Sequence, residues 1–300
     1  MVHKVSVIIP TYGRSDLLAR AVDSVIGQTY KDVEIVIVDD NPPDSANRIE
    51  TESKLQKFAG DPRVVYYKRE KNGGGSAARN SGIEQATGNY ITFLDDDDYY
   101  HPTKIERQLS YLEAQMLDVC LCDMDVARND QIMQDKYYRA QCDDLEDFIL
   151  HGVAYTPMIF MKKSVAVEIG GFFDTPRFQD HIFMYKLLKS NAAIGVLHER
   201  LAVHNDHEEE RITSGPKGHK GYQNKILFEK EFMPYLSKQG QRQLKMNHFC
   251  TQSKIISDTT NYCLGVVHSF KGLFFIRSSR TFIDFARNMR RNLFFRHKHF

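Results

Sequence analysis

The sequence is short of several things, and each shortage excludes something. Its 300 residues hold only five cysteines, at positions 120, 122, 142, 250 and 263. An odd, scattered set gives no disulfide framework. Cys120 and Cys122 lie two apart in an alternating apolar run, so they are expected as buried thiols on one face of a strand. Net charge is almost absent: 40 Lys and Arg against 39 Asp and Glu leave +1, so the whole chain carries no nucleic-acid signature. Long apolar runs are missing as well. The best near the end, Leu264 to Ile276, is broken by His268 and Lys271 and is too short and polar to span a bilayer. Internal repeats and low-complexity tracts are absent. The first residues read directly as a strand, without a signal-peptide pattern, and a cytoplasmic location is expected from this.

The glycine-rich stretch Asn72-Gly73-Gly74-Gly75-Ser76 lacks two further signatures. It has no Gly-Lys-Ser/Thr ending and no G-x-G-x-x-G spacing, and it follows the third strand rather than the first. A backbone cradle for a diphosphate at Gly75, at the start of a helix, stays open. Arg79, one turn further on, is read as neutralising phosphate, as holding Asp40, or as a plain surface arginine.

What is present is alternation. Val5 to Ile9, Val33 to Val38, Val64 to Tyr67, Tyr90 to Leu94 and Asp118 to Val126 read as strands. Helical patterns lie between them, starting near Ser15, after Pro42-Pro43, at Ser76 and near His101-Pro102. This order predicts an α/β fold with a doubly wound, mostly parallel sheet. Right-handed crossovers then bring the strand carboxyl ends to one edge, where ligands bind in open α/β sheets. Asp39-Asp40 and Asp95-Asp96-Asp97-Asp98 end two such strands, so both acidic groups are expected on that edge.

Four consecutive carboxylates raise one another's pKa unless a cation sits among them. A divalent ion with oxygen ligands is the usual partner, and a solvated loop capping the next helix is the alternative. Asp39-Asp40 reads either as an Asx turn beside Pro42-Pro43 or as a carboxylate for a nucleoside.

Several motifs occur in a recognisable order: Val5-Ser6-Val7-Ile8-Ile9-Pro10-Thr11-Tyr12, Gln28-Thr29-Tyr30, Val36-Ile37-Val38-Asp39-Asp40, Ala77-Ala78-Arg79-Asn80-Ser81-Gly82-Ile83, Ala86-Thr87-Gly88 and Phe93-Leu94 followed by the acidic run. In order and spacing they resemble family 2 glycosyltransferases of the GT-A fold, strongly over about residues 3–115 and weakly to about 205. The resemblance implies an inverting, metal-dependent hexosyltransferase using a nucleotide-diphosphate sugar, with UDP favoured. Pro10, Thr11, Tyr12 and Arg14 would line the nucleotide-sugar site, with Tyr12 against the base and Asp40 on base or ribose. Asp95-Asp96-Asp97 would be the DxD motif: Asp97 the metal ligand, Asp95 and Asp96 near ribose or metal waters, and Asp95 a second ligand to Mn²⁺ or Mg²⁺. Asp180, in Arg177-Phe178-Gln179-Asp180-His181, occupies the place of the family's base, with Gln where many members carry Glu. Where the family usually has Asn, this chain has Gly13.

The expected organisation is a GT-A domain over 1–215, with a nucleotide-binding half 1–125 and an acceptor half 126–215. A helical extension follows over 216–300. Residues 204–221 read as a long polar loop, a candidate lid, in which His204 or His207 completes a metal shell or merely lies at the surface. Near the end, Phe282, Phe285, Ala286, Met289 and Leu293 recur at helical spacing, with Arg287, Arg290 and Arg291 on another face. That pattern fits peripheral attachment to an anionic membrane, or docking on the domain itself. The acceptor is expected to be a glycan or a polyprenyl-linked saccharide in surface polysaccharide synthesis. Competing readings are a sugar-1-phosphate nucleotidyltransferase, for which Pro10-Thr11-Tyr12-Gly13-Arg14 matches the required loop poorly, and a non-catalytic nucleotide-sugar-binding subunit.

Overall fold

The computed structural model describes residues 3–128, 131–206 and 216–259, together with 282–283 and 285–286. Strands β1 (Val5–Thr11) and β2 (Val33–Asp39) are β-branched at most positions and buried almost throughout. Strands covered on both faces need helices on both sides. Helix α1 (Ser15–Ile26) buries Leu18, Ala21, Val22 and Val25 as one stripe. Helix α2 (Ala46–Leu55) starts at Ser45, whose hydroxyl caps Arg48 N at 3.2 Å. Strand β3 (Val64–Lys68), helix α3 (Gly74–Gln85) and strand β4 (Tyr90–Phe93) complete the first half. A two-residue strand β5 (Tyr99–Tyr100), helix α4 (Lys104–Ala114), and strands β6 (Val119–Arg128) and β7 (Gln131–Tyr138) follow. Next come α5 (Leu145–His151), β8 (Ile159–Lys162), α6 (Lys163–Glu168), α7 (Gln179–Lys189) and β9 (Ile194–Asn205). The last described elements are α8 (Pro216–Phe232) and α9 (Lys238–Thr259).

The described strands form a nine-stranded sheet in the order β3-β2-β1-β4-β8-β6-β9-β5, with β7 on β6. The sheet is parallel from β3 to β4, as expected, and mixed beyond. Strand β8 runs antiparallel between β4 and β6. It therefore starts at the edge where β4 ends, and this lets Thr156, just before it, reach Asp95. Strand β9 runs parallel to β6, which puts His204 at that same edge.

Two boundaries differ from the sequence reading. Helix α3 starts at Gly74 rather than Ser76. The polar loop expected over 204–221 is shorter, because β9 pairs with β6 as far as Ala127 opposite Asn205 and α8 begins at Pro216. Ladder pairing overrides the polar composition there. His207, Cys263 and nearly all of the basic amphipathic end lie outside the described residues. Cys120, Cys122, Cys142 and Cys250 are buried free thiols. Burial pushes Cys120 and Cys142 up to about 12 and Cys122 up to about 11, so they are poor nucleophiles. Among the described residues no helix is long and apolar enough to cross a membrane.

Candidate active site

The carboxyl edge carries the two acidic groups together. Asp40 N donates to Thr11 O at 3.0 Å, and Thr11 Oγ1 donates to Asp96 Oδ2 at 2.8 Å, so β1 stitches the end of β2 to the turn after β4. The acidic run then alternates. The side chains of Asp95 and Asp97 are 31% and 12% exposed, whereas those of Asp96 and Asp98 are 1% and 2% exposed. Asp95 is thus half-buried and Asp97 slightly accessible, while Asp96 and Asp98 are fully enclosed.

Each carboxylate is matched by a cation of the chain itself. Arg14, at the start of α1, pairs with Asp97 and reaches Asp96 Oδ1 at 2.7 Å, though without hydrogen-bond alignment to that oxygen. Arg79 pairs with Asp95, which also accepts from Thr156 Oγ1 at 3.3 Å. Asp98 accepts from Asn205 N at 3.0 Å and lies 3.0 Å from His204 Nδ1. Arg20 donates to the Asp97 carbonyl at 2.7 Å. Burial pushes Asp96 up to about 7, with repulsion from Asp97 adding and Arg14 and Thr11 opposing. Burial likewise lifts Asp98 to about 6 against the pull of His204. For His204 burial acts downward, but Asp98 outweighs it and the net shift is upward.

The carboxylate oxygens of Asp95 and Asp97, the two less enclosed members of the run, fit in donor chemistry a hard divalent cation that takes its other ligands from phosphate and water. Asp97 must exchange Arg14 to accept it. His204 keeps Nε2 for such a role while Nδ1 faces Asp98, the arrangement of a ligand oriented by a carboxylate. As folded, no three such side chains among the described residues converge as a ready cation cage.

Asp40 departs from the sequence reading. Its carboxylate accepts from Arg69 Nη1 at 2.5 Å, Asn72 Nδ2 at 3.0 Å, Gly73 N at 3.0 Å and Gly74 N at 2.7 Å. It anchors the glycine turn at the N-terminus of α3, a favourable place for an anion. Arg79 does not hold Asp40; it lies one turn into α3 and turns to Asp95 instead. Asp39, fully buried, is held by Tyr66 OH at 2.5 Å and Asn41 N at 2.8 Å. Arg48, Arg69, Asn72 and Thr156 were not among the residues singled out from the sequence. Arg48 and Arg69 lie in an amphipathic helix and a polar loop, respectively, where arginine is unremarkable until the fold turns it inward.

Tyr12 is 47% exposed at the mouth of this edge, beside Pro10. Gly75 packs where an added Cβ would stand 2.9 Å from both Arg79 Nη1 and Gln179 Oε1. On the far wall, Asp180 sits in the first turn of α7. Its Oδ1 accepts from His181 N at 2.8 Å and lies 3.0 Å from His181 Nδ1. Oδ2 has no partner among the described residues. Burial acts to raise the Asp180 pKa, but His181 and then Arg79 outweigh it and hold the carboxyl below its ordinary value. Asp180 is therefore ionised at neutral pH, the form that accepts a proton. Arg79 bridges the two walls: its other nitrogen donates to Gln179 Oε1 at 2.6 Å.

The described residues thus combine a parallel sheet half, an acidic run at its carboxyl edge and Asp180 tied to that run through Gln179 and Arg79. Residues 6–173 match glycosyl transferase family 2, and the chain belongs to that family. A Rickettsia felis protein named only as an uncharacterized glycosyltransferase is 44% identical over 110 residues, covering 37% of this chain and 17% of its own length. The Escherichia coli protein named UDP-Glc:alpha-D-GlcNAc-diphosphoundecaprenol beta-1,3-glucosyltransferase WfaP is 38% identical over 111 residues, 37% of this chain and 42% of that one. The match thus spans less than half the length of either relative. Among solved structures, S. aureus TarS 1-349 in complex with UDP-GlcNAc superposes with a TM-score of 0.62 at 18% identity, over 96% of this chain and 90% of that one. The fold is GT-A.

Proposed function

We propose that the chain is an inverting glycosyltransferase that moves a sugar from a nucleotide diphosphate, UDP by preference, to a hydroxyl of a glycan or lipid-linked saccharide. The observation that carries this reading is that Asp180 follows Gln179, which Arg79 ties to Asp95 of the acidic run. Tyr12 offers an aromatic face to the base. Arg14 and Arg79 stand where the diphosphate would lie. Asp95 and Asp97 would hold Mn²⁺ or Mg²⁺, with His204 as a further ligand. A cation held there would supply positive charge to the departing diphosphate. Asp180 Oδ2 takes the proton of the attacking hydroxyl, on the face of the sugar opposite the nucleotide. The UDP-GlcNAc complex of TarS supports the UDP preference, and the name of the E. coli relative supports a polyprenyl-linked acceptor in surface polysaccharide synthesis. In this reading the acceptor is membrane-anchored, and the basic residues of 277–300 would approach the anionic cytoplasmic face of that membrane.

Asp180→Asn tests this reading. Transfer is expected to vanish while UDP binding, read by thermal shift, stays within about twofold, since in this reading the side chain faces the acceptor and not the nucleotide. Loss of UDP binding in that variant, or full turnover, would overturn the base assignment.

A further inference from the structure

We infer that helix α8 belongs to the catalytic apparatus: Tyr222, Lys225 and Glu229 position the start of α7 and so set where Asp180 stands. The inference rests on Asp180 being the base. Helix α8 and α7 both lie beyond residue 173, outside the stretch that defines the family.

The contacts run as a stripe at helical spacing along α8. The Tyr222 ring meets the Phe178 ring edge-on at 4.7 Å, and Arg177 Cζ lies 4.9 Å from the Phe178 ring and 4.8 Å from the Tyr222 ring. Lys225 Nζ lies 5.8 Å from the Phe178 ring and the same distance from that of Tyr185. Glu229, only 2% exposed, accepts from Tyr185 OH of α7 at 2.8 Å, pairs with Lys225, and lies 2.9 Å from His248 Nε2 of α9. Three groups, one from each of three helices, close around one buried carboxylate.

A second row reaches the loop before α7. Asn224 Nδ2 donates to Thr175 Oγ1 at 3.1 Å, and Gln179 Nε2 donates to Thr175 O at 3.0 Å. Gln179 in turn accepts from Arg79, the partner of Asp95. A chain of polar contacts thus leads from α8 to the acidic edge.

Phe178, two residues before Asp180, shows why α7 needs this support. It has φ 61° and ψ 31°, the left-handed conformation, which a bulky side chain adopts only when its surroundings impose it. The surroundings here are Tyr222, Lys225 and the Arg177 side chain over both rings. Gly221 permits the approach, because a Cβ there would lie 2.5 Å from Arg177 Cβ.

The test uses the full chain with Tyr222→Leu, Gly221→Ala and the conservative Tyr222→Phe. In Tyr222→Leu and Gly221→Ala, UDP release from UDP-GlcNAc or UDP-glucose is expected to show kcat lowered about tenfold to a hundredfold, with KM within about twofold, as befits a misplaced base. Tyr222→Phe should keep kcat within about threefold, since the ring is retained. Adding Tyr222→Leu to Asp180→Asn should change residual turnover less than about twofold, because both act through one carboxylate. Amide hydrogen exchange across residues 176–184 should rise about tenfold in Tyr222→Leu, with 90–98 unchanged. Unchanged exchange at 176–184, unchanged kcat, or kcat and UDP affinity falling together would each overturn the proposal. An active Asp180→Asn variant sinks the base assignment; an inactive one beside a fully active Tyr222→Leu sinks only the role of α8.

Discussion

Arg79 pairs with Asp95, and the same guanidinium holds Gln179, the residue before Asp180. The donor edge and the acceptor wall therefore meet at one side chain. The planar fork spans two acceptors, which a lysine ammonium on a flexible stem does not reproduce. Arg79→Lys is expected to lose activity nearly as far as Arg79→Met. Losing one partner of a fully buried pair costs ~3–5 kcal/mol; Asp95 is 31% exposed, so screening brings the expected loss to about 1–2 kcal/mol. Urea unfolding and kcat of both variants check this, and a Lys variant with wild-type kcat would contradict the bridging role.

Gly13 explains a departure from the family pattern. Its φ is +73°, a conformation open to glycine and, among side chains, mainly to asparagine and aspartate. An added Cβ meets only Asn47 Nδ2, at 3.4 Å, an ordinary contact. Gly13→Asn is expected to stay within about 1 kcal/mol of the parent, whereas Gly13→Val should lose about 2 kcal/mol or more from backbone strain alone. Thermal unfolding of the two variants separates strain from crowding, since crowding would penalise both.

Much of this was legible in the sequence. The β-branched runs mark β1 to β4, and the rule that parallel strands end on one edge is enough to bring Asp39-Asp40 and the acidic run together. The edge strands β5 and β7 were not legible: two residues carry no period, and β7 is mostly exposed, held by pairing with β6 and by Tyr138 against Tyr155 and His204. Arg14, Arg79 and His204 were singled out, but their pairing with the acidic run was hidden for another reason. Four adjacent carboxylates announce a need for positive charge, but only the fold brings Arg14, Arg79 and His204 to meet it, across 83, 16 and 106 residues. Asp98, without a role in the sequence reading, ties the run to β9 through His204 and Asn205.

Glu34 supplies a pH-dependent part of the stability. Its buried carboxylate accepts from Ser6 Oγ at 2.6 Å, Thr87 N at 2.8 Å and Lys4 Nζ at 3.0 Å. Burial acts to raise its pKa, yet these donors outweigh it and bring the group down to about 2 from 4.5. A folded pKa below the unfolded one means stability present above about 4.5 and lost as pH falls towards 2. At about 1.4 kcal/mol per unit, the contribution is of order 3 kcal/mol at neutral pH. Glu34→Gln should be destabilised at pH 7 and show a shallower loss of stability between pH 4.5 and 2. An unchanged acid limb would place the pH dependence on other carboxylates.

Arg14 and a divalent cation compete for the same oxygens if Asp97 is the metal ligand. Arg14 already neutralises Asp97 and lies 2.7 Å from the buried Asp96. Arg14→Gln removes that cation and leaves Asp96 buried without it, so the variant alone is expected to be less stable than the parent. Mn²⁺ should then bind it more tightly, and about tenfold tighter binding would add ~1.4 kcal/mol of metal-dependent stabilisation. The measurement is the shift in Tm on adding Mn²⁺, compared between parent and variant without nucleotide. A larger shift in Arg14→Gln that disappears when Asp97→Asn is added places the cation on Asp97. Equal shifts in parent and variant would mean that the cation binds elsewhere and that Arg14, rather than a metal, is the resident counter-charge of the acidic run.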